Sequence, residues 1–312
     1  MRAVTVSDGA VSVEEHPDPA PQAGQILVRV RAAGLNGADI LQMKGGYPAP
    51  PGEPEDIPGL EFAGEVAECG PLVQRFEPGD RVMGVVGGGG QAELIAVHER
   101  LVMPIPDELD WDAAGGVPEV FTTAHDAIFT QGGLCAGERL LVHGAAGGVG
   151  SAAVQLGQMA GARVTATVRN EHSRKQIAAL GVNAIAPDEF VDEGPFDVIL
   201  ELVGAPNMPD NLKALASRGR VCVIGVGAGF KAEVNLVALM GKRGSIHAST
   251  LRARSLEDKA DAARRIERTV LPGFASGDLM VPVAKTYSLD EAGDAYTFFQ
   301  EAGKFGKVVL LT

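Results

Sequence analysis

The chain runs to 312 residues, 46% apolar and 21% charged, which is ample for hydrophobic cores and too apolar for a disordered coil. Its formal charge of −13 and pI of about 4.9 disfavour a nucleic-acid partner, and the densest basic cluster (Arg264, Arg265, Arg268) shares its segment with Asp258, Asp261 and Glu267. The three dispersed cysteines make neither a disulfide framework nor a thiolate zinc set, and no stretch approaches the ~20 apolar residues of a membrane span. A cytoplasmic protein with no membrane partner is expected.

To about residue 112 the chain reads as short strands punctuated by Pro and Gly. Residues 26–32 alternate apolar and basic positions, as a half-exposed strand does. A short helix is predicted over 39–44. Strands are predicted over 81–86 and 92–97, with the glycines at 87–90 forming a hairpin or loop between them. This part predicts a barrel-like β unit. From 139 to 249 apolar strands alternate with helix-length segments, the strands falling at 140–143, 164–168, 184–186, 198–201, 221–225 and 245–249. Their near-continuous hydrophobicity predicts a parallel sheet covered by helices on both faces. A helix over 256–276 and strands over 283–287 and 307–311 then return to the earlier character. The order predicts an α/β chain: a doubly wound parallel sheet (116–250) inserted into a split, partly open β-barrel domain (1–115 and 251–312).

The most specific local signal lies at 140–168. An apolar strand runs into Ala145, Ala146, Gly147, Gly148, Val149 and Gly150, then into a helix ended by Gly161. This is A-x-G-x-x-G in the strand–turn–helix setting of a dinucleotide site. Small Ala145 suits the tight turn, Gly147 admits backbone N–H groups to a pyrophosphate, and Gly150 allows close helix–strand contact. The helix N-terminus adds partial positive charge. A plain β–α connection is the alternative. Gly225 and Val226 follow another good strand and suit either a place beside the nicotinamide or an ordinary loop.

An NAD site usually carries Asp or Glu at the end of the second strand, about 20 residues past the turn. Here Val168 stands there, followed by Arg169, Arg174 and Lys175. No carboxylate repels a 2′-phosphate, and the basic residues suit either that phosphate or the surface. NADPH is the expected cofactor. Asp188, near the third strand's end, would oppose a 2′-phosphate if close.

With these motifs in view, the chain resembles the medium-chain dehydrogenases/reductases, in their zinc-free quinone oxidoreductase branch. The stretches that carry the resemblance are GLNGADILQMKGGYP (34–48), PGLEFAGEVAECG (58–70), FEPGDRVMGVVGGGGQAEL (76–94), MPIPDELDWDAAGGVPEVFTTAHDAI (103–128), HGAAGGVG (143–150) and FGKVVLL (305–311). They span nearly the whole chain and are similar to the tumour-suppressor-inducible NADPH quinone oxidoreductase group. The resemblance implies a Rossmann domain within a GroES-like domain. It sets Asn36, Leu60 and Glu119 where zinc-dependent relatives hold ligands, so no metal is expected.

It also implies that Asn36 and Tyr47 flank the nicotinamide and the quinone as catalytic groups. Thr123, Val203, Gly225, Val226, Leu251 and Lys307 join Gly147, Gly148, Arg169 and Arg174 around the cofactor. Tyr47 suits a loop anchor equally, and Thr123 a helix cap. Glu61 reads as a structural hydrogen-bonding group, and His125 and His143 as core or capping residues. A homodimer formed through the strand from Gly244 to Ser249 is implied as well. The expected activity is NADPH-dependent reduction of a quinone or another small conjugated carbonyl. Reduction of an activated alkene, such as a 2-alkenal or enoyl thioester, is an alternative, and so is a non-catalytic NADPH-binding sensor or crystallin-like structural protein.

Overall fold

The computed structural model describes residues 1–312, which fall into two compact units. The first comprises Met1–Thr122, Leu251–Ala302 and Lys307–Thr312, and the second Thr123–Thr250 with Gly303–Gly306. The first division falls inside the helix Pro118–His125, later than the change in composition near 115, because the helix runs on without a break. The Gly303–Gly306 segment joins the second unit through its backbone. The Gly306 N–H donates to Ala146 O, and Ser173 Oγ donates to Gly303 O.

The first unit opens with a hairpin, β1 (Arg2–Ser7) and β2 (Ala10–Glu15), which hydrophobic patterning does not reveal. Its signal is local: Asp8 and Gly9 turn the chain with φ of 50° and 80°, an Asp-Gly pair in the left-handed conformation that tight hairpins need. β3 (Gln25–Gly34), β4 (Glu61–Cys69), β5 (Arg81–Val85), β6 (Leu94–His98) and β7 (Val102–Pro104) follow. On β3 the alternation works as expected: Ile26, Val28 and Val30 pack against Phe62, Val66, Val82 and Val97, while Arg29 faces solvent. The glycines at 87–90 are buried. Their loop lies against the 57–59 segment, where Gly89 N–H bonds Ile57 O and Gly90 N–H bonds Gly59 O.

The second unit carries six parallel strands: β8 (Arg139–Val142), β9 (Arg163–Thr167), β10 (Asn183–Ile185), β11 (Phe196–Glu201), β12 (Leu215–Val223) and β13 (Ser245–Ala248). Their spatial order is β10-β9-β8-β11-β12-β13, the doubly wound order expected. The order reverses between β8 and β11, so ligands of such sheets bind beyond the carboxyl ends of those strands. Leu141, Phe196, Ile199 and Val221 build the core of one face. β12 starts six residues earlier than the hydrophobic run at 221 suggested. Arg218 (φ 63°) and Gly219 bulge it, and its register against β11 shifts between Phe196 and Val198.

Back in the first unit, the single helix expected over 256–276 is two, Leu256–Thr269 and Leu271–Ala275. Pro272 has no N–H and its ring crowds the preceding turn, so the helix breaks at Val270, whose φ is −112°. β14 (Val283–Ser288) pairs in parallel with β15 (Lys307–Leu311), which adds antiparallel to β3. The resulting seven-stranded sheet runs β14-β15-β3-β4-β5-β7, with β6 also on β3. This is the GroES-like half that the last two strands were expected to complete. No helix is long and apolar enough to cross a membrane.

Candidate functional site

In the second unit the glycine turn leaves β8 and enters the helix Gly148–Met159. The sharp turn falls one residue earlier than the fingerprint suggested. Gly144, with φ of 63°, takes the left-handed conformation, and Ala145 is fully buried behind it. Gly150 acts as expected: a Cβ there would stand 2.6 Å from both Ala145 Cα and Gly144 O, so helix and strand approach only because it is glycine. Gly147 is different. It is exposed at the helix N-cap, and its absent Cβ would meet nothing closer than 3.6 Å. No protein atom demands glycine there.

The first helical bond runs from Ser151 N–H to Gly147 O. The N–H groups of Gly148, Val149 and Gly150 therefore precede any helical acceptor, and no side chain caps them. These donors, beside an open glycine at the carboxyl edge of β8, fit a diphosphate.

At the end of β9, Val168 is buried and Arg169 exposed. Arg174 folds back over this strand end: its Nε donates to Val168 O at 3.1 Å and its Nη2 to Arg169 O at 3.4 Å. A guanidinium thus lies over the end of β9, and no acid follows that strand directly. Sequence pattern alone did not separate Arg174 from an ordinary surface arginine.

Beyond β11, the loop carrying Val203 is fixed by Glu201, a fully buried carboxylate that sequence reading passed over. Its Oε1 accepts from the N–H groups of Val203 (2.7 Å) and Gly204 (2.8 Å), and its Oε2 from Asn211 Nδ2 at 2.7 Å. Asn211 Oδ1 lies 2.8 Å from His143 Nε2, whose other ring nitrogen lies 3.0 Å from Thr167 Oγ1. Burial pushes the His143 imidazole below its usual range, with Glu201 opposing. His143 is thus a core residue, as expected. Gly225 is held tightly, since a Cβ would sit 2.3 Å from Leu202 O, while Val226 is 45% exposed. Thr123 is buried at the start of this unit.

The first unit contains a closed polar centre. Lys307 Nζ donates to Glu61 Oε1 at 2.6 Å, to Asn36 Oδ1 at 2.8 Å and to Leu35 O at 2.8 Å. Asn36 Nδ2 donates to Glu61 Oε1 at 2.9 Å and to Gly34 O at 3.2 Å, and Glu119 N–H donates to Glu61 Oε2 at 2.8 Å. The Lys307 and Glu61 side chains are 3% and 0% exposed. Two expectations are corrected here. All three hydrogens of Lys307 are used within the protein, so it is not placed as a cofactor ligand. Both amide hydrogens of Asn36 are used too, so Asn36 orders this centre instead of offering an N–H to a substrate. Glu61 has the structural role expected of it.

Asp39 adjoins the same centre, accepting from Asn36 N–H (2.8 Å), Gly59 N–H (3.2 Å) and Gln91 Nε2 (3.3 Å). Burial pushes its carboxyl up to about 6, against the N–H donors and Lys307.

Tyr47 is half-buried, and its ring lies 5.1 Å from the Arg252 guanidinium carbon. Arg252, 3% exposed, donates to Tyr47 O, Gly87 O and Gln42 Oε1. It ties the helix Gly37–Met43 and two loops of this unit together and was visible in sequence only as part of the 251–254 segment. Leu251, expected at the cofactor, is a core residue of the first unit, clustered with Val85 and Ala262. Three residues past the end of β13, its apolar side chain packs on the apolar surface of the first unit. Of the positions that hold zinc ligands in metal-dependent relatives, Leu60 is a buried hydrocarbon and Asn36 is engaged as above. No group of three or more His, Cys, Asp or Glu side chains is arranged to hold a metal ion.

Comparison with known proteins agrees with this architecture. An alcohol dehydrogenase GroES-like domain model matches residues 22–107, and a zinc-binding dehydrogenase model matches 150–310. The quinone oxidoreductase of Rattus norvegicus is 31% identical over 307 residues, covering 94% of this chain and 91% of that protein. The spectinabilin polyketide synthase system protein NorB of Streptomyces orinoci is 34% identical over 309 residues, matching 94% of this chain to 14% of that protein. Among solved structures, a quinone oxidoreductase of Pseudomonas syringae pv. Tomato superposes with a TM-score of 0.87 at 26% identity, covering 100% of this chain and 99% of the other.

Proposed function

Because the chain belongs to the medium-chain dehydrogenases/reductases, among the quinone oxidoreductases, we propose that it reduces quinones by hydride transfer from NADPH without a metal. The observation that carries the reading is the start of the Gly148–Met159 helix. Its three forward N–H groups stand beside a glycine whose missing side chain serves no packing need. They hold the diphosphate. Arg174, with Arg169 beside it, receives the 2′-phosphate at a strand end that carries no acid. When bound, the nicotinamide supplies a hydride with its electron pair. Leu60 offers no lone pair, so polarisation of the acceptor falls to hydrogen bonds. Tyr47, its ring and backbone held by Arg252, is the substrate-facing aromatic group.

Oxidation of NADPH, followed by absorbance with 1,4-naphthoquinone and 2-alkenals as acceptors, tests this directly. Turnover is expected with the quinone. Tight NADPH binding with no turnover on either acceptor overturns the reading in favour of a binding protein. Turnover on the alkenal alone supports the second reading, activated-alkene reduction. For the cofactor, Arg174→Ser and Arg169→Ser should each weaken NADPH more than NADH, by roughly tenfold for Arg174. Equal losses for both cofactors would show that neither guanidinium reads the phosphate.

The second unit also supports a homodimer. β13 is an edge strand paired only with β12. The neighbouring helix Leu236–Lys242 buries none of its residues, and Leu236, Val237 and Met240 are 66%, 79% and 74% exposed. Isolated apolar residues are ordinary on a surface, but a run of them beside a free strand edge calls for a cover. Light scattering should give twice the chain mass, and Val237→Asp should reduce it to one. A wild-type monomer would exclude this pairing.

A further inference from the structure

Glu201, the last residue of β11, is fully buried and its carboxylate meets donors on both oxygens. Its Oε1 accepts from Val203 N–H (2.7 Å), Gly204 N–H (2.8 Å) and Asn207 Nδ2 (3.3 Å), and its Oε2 from Asn211 Nδ2 (2.7 Å). Its backbone oxygen accepts as well, from the N–H groups of Ile224 and Gly225, each at 3.0 Å. One residue thus holds both loops that leave the carboxyl ends of β11 and β12. The loops are also tied to each other, since Ala205 N–H donates to Gly229 O and Ala228 N–H to Val203 O, both at 2.9 Å. Gly204, with φ of 117°, lets them touch: a Cβ there would stand 2.5 Å from Gly229 O.

The carboxylate is itself aligned from the other side of the sheet. Because it accepts, Asn211 turns its Nδ2 toward Glu201 and its Oδ1 toward His143. That oxygen, 2.8 Å from His143 Nε2, can only accept, so the ring carries its proton on Nε2 and its Nδ1 accepts from the Thr167 hydroxyl at 3.0 Å. His143 Nε2 and Glu201 Oε2 are 3.9 Å apart, too far for a direct bond, and Asn211 is the bridge. All four side chains are shut away from water. The result is a one-way chain of hydrogen bonds from Thr167 through His143 and Asn211 to Glu201. It runs from the last residue of β9, past the end of β8, to the last residue of β11.

This path crosses the point at which the strand order reverses. In a doubly wound sheet the two halves each bind one nucleotide of a dinucleotide laid across that point. The turn after β8 and the end of β9 belong to the adenosine half, which leaves the loops after β11 and β12 to the nicotinamide half. A loop fixed before the ligand arrives spares the ligand the cost of ordering it, and hydrogen bonds chained in a dry interior strengthen one another.

We propose that Glu201 is a positioning residue for the nicotinamide half of the cofactor, its carboxylate held in register with the adenosine half by Asn211, His143 and Thr167. The proposal rests on the reductase reading given above and deepens it by naming what fixes the loops that receive the reacting ring.

The test uses the full-length protein and two ligands titrated by calorimetry, NADPH and 2′,5′-ADP, which has the adenosine and its phosphates but no nicotinamide. Glu201→Ala should weaken NADPH about tenfold or more and leave 2′,5′-ADP within about twofold of the wild type. Should that variant not fold, Asn211→Ala, which keeps the carboxylate and loses its alignment, carries the same comparison with a loss of about threefold. Glu201→Gln should restore NADPH affinity, because its oxygen still accepts from Val203 and Gly204 while its amide reverses the chain. Asn211 then flips, and neutral His143 moves its proton from Nε2 to Nδ1. Nitrogen-15 NMR of the imidazole reads that move, which a residue that only filled space at 201 would not cause. Equal losses of NADPH and 2′,5′-ADP, or a His143 proton still on Nε2 in Glu201→Gln, overturn the positioning role and leave the reductase reading untouched. Both binding effects without quinone turnover would remove the reductase reading and leave the positioning role standing.

Discussion

The glycine turn of the second unit and the Lys307 centre of the first solve opposite problems with backbone and side-chain donors. At the turn, Gly148, Val149 and Gly150 present N–H groups with no helical acceptor, and Gly147 leaves open the space in front of them. In the centre, every hydrogen of Lys307 and of the Asn36 amide already has an oxygen, and the carboxylate of Glu61 accepts three hydrogen bonds in turn. The first arrangement is completed by something from outside, whereas the second is complete as it stands. Residue type alone does not reveal this. Lys307 and Asn36 have the chemistry of binding groups and are spent on structure, and Gly147 has no side chain at all and is the opening.

The largest effect should come from breaking the closed centre. Lys307→Met leaves Glu61 fully buried with its charge uncompensated. Removing one partner of such a pair costs about 3–5 kcal/mol, because the remaining charge has lost its counter-ion and cannot reach water. Denaturant unfolding measures it. The double variant Lys307→Met with Glu61→Gln should recover a large part of the loss, since the Asn36 amide can turn to pair with a neutral glutamine. If the single variant is no less stable than the double, the ammonium is not what holds Glu61.

Two glycines sharpen the other side of the comparison. A methyl group at Gly150 would lie 2.6 Å from Ala145 Cα and Gly144 O, both backbone atoms that cannot swing aside. Gly150→Ala should therefore cost stability, about 1–3 kcal/mol as an overpacked site does, together with cofactor binding. Gly147→Ala should leave thermal unfolding nearly unchanged and still weaken NADPH about tenfold or more, because the added methyl meets ligand and not protein. NADPH fluorescence titration set beside thermal melts separates the two. Equal melting losses in both variants would mean that Gly147 is a packing glycine after all.

The sequence carried the fold well where periodicity is strong. The six parallel strands and their insertion between β7 and β14 follow from near-continuous apolar runs and from the return of β character after 276. It misled where one residue decides. Pro272 splits a helix whose pattern runs through it, and Arg218 with Gly219 starts β12 early. In the candidate site, the turn was legible because three glycine positions and their flanks recur at fixed spacing. Glu201 and Arg252 were not, since a buried acid after an apolar strand and an arginine in a loop look like surface residues until their acceptors and donors are placed. Lys307 was misassigned for the same reason: its partners Asn36 and Glu61 lie more than two hundred residues away along the chain.

The smallest expected effect tests how fully the closed centre is charged. Asp39 accepts three N–H donors beside Lys307, yet burial outweighs them and pushes its carboxyl up to about 6 from an ordinary 3.8. Between those two pH values the folded chain keeps a proton on Asp39 that the unfolded chain has released. The stability tied to this group is therefore fully present below the unfolded value and is lost as the pH rises through about 6. Carboxylates held low by cations, such as Glu138 beside Arg220, act in the opposite sense and lose their contribution as the pH falls. Comparing the wild type with Asp39→Asn cancels those groups. The stability difference, wild type minus variant, should decline from pH 4 to pH 7 with a slope on the order of 1 kcal/mol per pH unit or less. A difference that rises with pH would mean that Lys307 and the backbone donors hold Asp39 ionised, and that the centre binds one more negative charge than burial favours.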